Sequence, residues 1–194
     1  MILTEETTLA AASLPLGLLK EHLRLGTGFS GAADQDALLE AYLRAAIAAV
    51  EGRTGAVLLT KGFRWRLNGW RQYDRQVLPV RPVAAVTGIR LIDRHNTATD
   101  IDPAAWRLEP DAQSPAIYPV GIALPVVPTN GAVEVSFEAG FGADWSDVPA
   151  DLARAVLILA AEFYENRTSR DAAALPAGVL ALLERFRPVR LGGR

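Results

Sequence analysis

The sequence contains no cysteine, which excludes a disulfide framework and thiol chemistry. Its only histidines are His22 and His95, and its only lysines are Lys20 and Lys61. No apolar run approaches the ~20 residues that a membrane-spanning helix requires, which predicts no membrane contact. The opening residues, MILTEETTLAA, have neither a basic flank nor a long apolar core, so no secretory signal is expected. A chain soluble and intracellular at synthesis is the expectation. Neither sign of charge dominates: 20 Lys and Arg against 22 Asp and Glu leave a net charge of −2. That is no global basic field with which to recruit nucleic acid.

What is present is a globular composition. The 194 residues are 50% hydrophobic and 22% charged, enough for one domain or one domain with a sizeable insertion. Nearly all the cations are arginine, whose rigid fork of donors suits carboxylates, phosphates and buried interfaces, although a coding sequence rich in G and C would give the same bias.

The chain is organised around residues 133–167. Val133, Val135 and Phe137 alternate with Glu134, Ser136 and Glu138, the period of a half-buried strand. Gly140-Phe141-Gly142 breaks it, and a helix opens near Asp147, a candidate cap, or Pro149. Leu152, Val156, Leu159 and Phe163 fall on one helix face, yet residues 155–161 are apolar without interruption. A helix apolar most of the way round needs neighbours on several sides, some of which can come from another subunit.

Upstream, residues 1–12 read as an extended or loosely packed lead-in. A short helix follows from Pro15, with Leu18, Leu19, Leu23 and His22 towards its inner side. A long helix runs from about Asp34 to Arg53, striped by Leu38, Leu39, Tyr42, Ala45, Ala46, Ala49 and Val50 and stopped by Gly52 and Gly55. The period then changes to two. Phe63, Trp65 and Leu67 alternate with Arg64, Arg66 and Asn68, a strand with a basic face leading to an Asn68-Gly69 turn. Interleaved basic and aromatic residues can stack single-stranded nucleic acid. Without an RNA-binding signature, the favoured reading is core aromatics beside arginines that are solvated or paired with a neighbouring subunit. Further strands are expected at 86–93, 106–108 and 116–118, with a hairpin tip at Asp93–Asn96 and a turn at Asn130-Gly131. A last helix spans Pro176 to Phe186, before a basic tail, RFRPVRLGGR.

The fold class is therefore α+β: a small helical bundle built from both chain ends with an inserted antiparallel β-region, sandwich-like or barrel-like. The expected divisions are N-terminal helices in 1–56, the β-region in 57–139, and C-terminal helices with the basic tail in 140–194.

No catalytic, metal or cofactor site emerges. His22 and His95 lie on different elements with no second ligand at metal spacing. Glu162 and Glu165 lack the histidines of a di-metal carboxylate motif, and Asp144, Asp147 and Asp151 lack EF-hand spacing. Gly26–Gly31 reads G-T-G-F-S-G and matches G-x-G-x-x-G, the basis of an alternative reading as a small nucleotide-binding enzyme or module. That motif works after a strand, whereas a helix precedes it here.

Four pieces in order carry a resemblance: K-E-H-L-R (Lys20 to Arg24), E-G-R-T-G (Glu51 to Gly55), L-P-V-R-P-V (Leu78 to Val83), and the long segment from the Val133 strand through G-F-G and V-P-A-D-L to Y-E-N-R. Together they resemble the head–tail connector (adaptor) proteins of tailed bacteriophages and gene transfer agents. The resemblance implies a structural protein without cofactors, found at the head–tail junction of a particle assembled in the host cytoplasm. It implies a homo-oligomeric ring of about twelve copies below the portal protein. A stopper or tail-terminator protein would lie on the tail side, with DNA passing through the ring. Arg185, Arg187, Arg190 and Leu191 are then candidates for portal docking, and Leu157, Ile158, Arg64 and Arg66 for the subunit interface.

Overall fold

Alternating valine and phenylalanine place β8 (Ala132–Ala139) at the centre of a five-stranded antiparallel sheet. The computed structural model describes residues 1–25, 32–166 and 175–187. The strand order is β1 (Ile2–Glu5), β2 (Lys61–Leu67), β8, β4 (Val83–Ile92) and β5 (Ala98–Asp100). Register matches Phe63 to Phe137, Trp65 to Val135 and Leu67 to Val133, so the apolar halves of both strands share the buried face. The Phe63 and Phe137 rings stack there, centroids 5.4 Å apart. A second antiparallel sheet has the order β3 (Gln76–Val77), β7 (Ala116–Pro119), β6 (Trp106–Glu109). The expected hairpin tip stands between β4 and β5, with Asn96 at φ 65°, and Asn130 turns the chain into β8 at φ 58°.

The lead-in is more ordered than the sequence suggests. Residues 2–5 form an edge strand on β2, from Ile2 opposite Arg66 to Glu5 opposite Phe63. Every residue of β1 is exposed, so no alternation of hydrophobicity marks it. Backbone pairing holds it, helped by Glu6 N–H donating to the Gly62 carbonyl (2.8 Å) and Gly62 N–H donating to Thr7 Oγ1 (2.8 Å). The two-residue β3 also lies below what periodicity can detect. It is pinned by Gln76, a fully buried polar side chain that accepts from Arg71 N–H at 2.9 Å.

The chain divides into two compact units, each assembled from two stretches. The sheets belong to Met1–Thr8 with Leu59–Phe141, and the helices to Leu9–Leu58 with Gly142–Arg194. The helical unit contains α1 (Leu16–His22), α2 (Ala32–Thr54), α3 (Ala150–Glu165) and α4 (Ala177–Leu183), with α3 packed against the other three. The buried stripe of α2 is Leu39, Leu43, Ala46, Ile47 and Val50. Leu38 and Ala45 of the expected stripe face solvent, because steps of three and four from Leu39 select Leu43 and Ile47 instead. Thr54 Oγ1 donates to the Val50 carbonyl (2.8 Å), and Gly55 at φ 68° ends the helix. On α1 only Leu19 is fully buried; Leu18 and His22 are exposed and Leu23 is half-buried.

Asp147 does not cap α3. Residues 145–147 form a separate 3-10 turn, the Asp147 carboxylate accepts from Asp144 N–H (3.1 Å), and Pro149 stands at the N-cap without a side-chain bond.

Candidate assembly surfaces

The two faces of the five-stranded sheet differ in chemistry because the strand period is two. Opposite the apolar face, Arg64, Arg66, Glu134 and Arg90 occupy cross-strand positions. Arg64 makes a close ion pair with Glu6, and its Nε lies 3.7 Å from Glu134 Oε1. Arg90 Nε lies 3.8 Å from the same oxygen and 3.7 Å from Asp100 Oδ1. The series Glu6, Arg64, Glu134, Arg90, Asp100 thus runs across the sheet with alternating sign. Glu134, 9% exposed, sits between two guanidinium groups. Isolated exposed pairs contribute ~0.2–1 kcal/mol each, but here two cations share one carboxylate.

On the basic face expected of β2, Arg64 is therefore neutralised within the chain, by Glu134 and Glu6 from distant segments that a strand read alone does not reveal. Arg64 is engaged in this series, whereas Arg66 is exposed and has no ion pair among the described residues.

On α3 the buried positions are Leu152, Ala155, Val156, Leu159, Ala160 and Ala161. Leu157 and Ile158 are half-buried on the remaining circumference, and Arg154 is the one exposed residue between positions 151 and 164. The Tyr42 and Tyr164 rings meet edge to face, 6.2 Å apart. Within a single chain, then, Leu157 and Ile158 keep part of their apolar surface in water.

Of the candidate docking residues, Arg185 and Arg187 are described, whereas Arg190 and Leu191 lie outside the described residues. Arg185 Nε is 3.3 Å from Asp151 Oδ2, and its guanidinium sits 4.6 Å from the centre of the Phe186 ring. Arg187 is exposed, 3.3 Å from Glu184 one turn earlier. The Gly26–Gly31 loop also lies outside the described residues; the element before it is helix α1. His95 is exposed and accepts from Arg94 Nε at 3.0 Å. Among the described residues no three His, Asp or Glu side chains cluster as a metal site would need.

Titration is shifted at Asp111 and Arg81. The Asp111 carboxylate is held below the usual carboxylate range, first by Gln113 N–H (2.7 Å) and then by Ser114 N–H (2.6 Å). Burial lowers the pKa of the Arg81 guanidinium, which Asp111 partly offsets, and that group donates to the Gln113 carbonyl at 3.2 Å. These groups fix the turn between β6 and β7.

No protein-family model and no curated protein matches the chain. Solved structures do. A chain in the neck of an empty gene transfer agent particle, computed with C6 symmetry, is 50% identical with a TM-score of 0.92. A chain of the virion of a native gene transfer agent particle is 51% identical with a TM-score of 0.89. A chain in the neck of a native particle, computed with C12 symmetry, is 48% identical with a TM-score of 0.88. Each comparison covers 100% of this chain and 99% of the other. Identity near one half over the whole length, with matching architecture, establishes kinship: the chain belongs to the head–tail connector (adaptor) family of tailed bacteriophages and gene transfer agents.

Proposed function

We propose that this protein is a structural connector in the neck of a phage-like particle, forming a homo-oligomeric ring that lines the DNA passage between head and tail. The observation that carries this reading is the end-to-end likeness, at 48–51% identity, to chains of gene transfer agent necks and virions. The C12 symmetry of one such neck supports a ring of twelve copies. A ring places each subunit between two neighbours, and the half-buried Leu157 and Ile158 on α3 suit such a contact, as does the exposed Arg66, which has no ion pair among the described residues. Arg64, already paired to Glu6, would join through its remaining exposed edge.

In the same reading the basic C-terminal segment docks on the portal protein. Arg185, Arg187, Arg190 and Leu191 would meet carboxylates and an apolar slot, and a stopper or tail-terminator would take the opposite side. Charge-assisted contacts contribute ~1.5–3 kcal/mol each when buried, and a ring multiplies them as avidity. Arg187 engages only Glu184 among the described residues, so removing residues 187–194 should leave the isolated fold intact. Binding to portal-bearing heads, measured by co-sedimentation, should fall to background. Truncated protein that still binds heads as wild type does would exclude the docking role.

A further inference from the structure

The three most exposed large hydrophobic side chains among the described residues are Ile122 (92%), Val126 (88%) and Tyr73 (71%). They come from two loops, 68–75 after β2 and 120–131 before β8, that are laced together. Leu124 N–H donates to the Tyr73 carbonyl (2.7 Å), and Trp70 Nε1 donates to the Pro125 carbonyl (2.8 Å). Beneath them Leu124 is buried, and the buried Gln76 fixes the Arg71 backbone. Pro125 and Pro128 remove further freedom from the second loop. The loops therefore form a crest that holds its apolar residues in water at a fixed geometry, with little ordering left to be done on binding. Arg71 and Arg75 stand exposed on its flanks, with Asp74 between them.

The position of the crest is set by the sheet. Leu67 pairs with Val133 and Ile92 with Ala132 at the end of the sheet that carries these loops. At the other end of the sheet Lys61 and Val83 meet Ala139.

We infer that this crest is a docking surface for a second neck protein, distinct from this chain, on the tail side of the ring. That protein would present an apolar socket rimmed by carboxylates. The inference rests on the connector reading above. A connector holds two different neighbours along the particle axis, and the basic C-terminal segment is assigned to the head side. Charge complementarity selects the partner: with Arg71 and Arg75 against Asp74 the crest carries a net positive charge, which fits an acidic rim and disfavours a second crest of the same sign. A tyrosine and two aliphatic side chains with two arginines on the same pair of loops have the composition of a protein–protein hot spot. Phosphates would engage the arginines and leave the apolar crest in water, so nucleic acid is the poorer fit.

The test uses tail-less heads carrying the ring and purified tails, with Ile122→Asp/Val126→Asp and Arg71→Glu/Arg75→Glu as variants. These side chains are exposed, so thermal unfolding should match wild type. The variants should also bind heads and give wild-type ring mass, while head–tail joining falls roughly thirtyfold or more. Joining at the wild-type level overturns the inference, and so does a lost ring, which would make the crest a contact between copies. Reduced binding to a duplex DNA probe with unchanged joining would assign the crest to DNA instead. If wild-type protein itself fails to bind heads, the connector reading fails first, and the two failures are distinguishable.

Discussion

Gly140→Ala should leave little folded protein, a loss of about 3 kcal/mol or more in urea denaturation. Gly140 follows β8 at φ 142°, in backbone space that side chains rarely adopt. A Cβ there would lie 2.5 Å from both Thr60 Cα and Thr60 N and 2.6 Å from Leu59 C. All three are backbone atoms of the two residues that lead into β2, so no rotamer change relieves the clash. The Gly140 N–H also donates to the Pro82 carbonyl at 3.0 Å, tying the turn to the start of β4. Gly88→Ala is the control, because a Cβ there meets nothing within 4 Å. Equal urea midpoints for the two variants would contradict this account of how the chain leaves the sheet.

The largest effect on assembly is expected from Leu157→Asp and Ile158→Asp. Both positions are half-buried in the single chain, so a carboxylate there can still reach water and the monomer should fold. In a ring that covers them the same carboxylate loses its water without gaining a partner, a penalty of several kcal/mol. Assembly on portal-bearing heads should therefore fall at least roughly thirtyfold while circular dichroism stays close to wild type. Leu159→Asp provides the contrast, since Leu159 is 1% exposed and its replacement should unfold the helical unit. Variants at 157 and 158 that assemble normally would remove these residues from the subunit interface. Variants that unfold as readily as Leu159→Asp would make them ordinary core.

How much of this was legible in the sequence depended on whether burial left a period behind. β2 buries every second side chain, and β8 keeps the alternation of apolar and polar residues although Glu134 is buried too, so both were readable to within a residue or so. β1 buries nothing, so its pairing with β2 was invisible, and the chain start read as a lead-in. The neutral outer face was hidden for another reason. Arg64 and Arg66 are adjacent in sequence pattern, but Glu6, Glu134 and Asp100 approach only through sheet order, which one strand does not encode. A glutamate at a polar position of the central strand was the available clue. On α2, choosing Leu38 instead of Leu43 reflects an alanine-rich helix whose apolar residues surround much of its circumference. The exposed crest had no periodic signal, because loop residues are placed by hydrogen bonds such as Leu124 N–H to Tyr73 O.

The most direct test of the account is electron microscopy of particles made without this chain, before and after purified protein is added back. The account predicts DNA-packaged heads and separate tails in its absence. Added protein should restore joined particles and a ring of density at the neck. Particles that carry tails normally without the chain would contradict it.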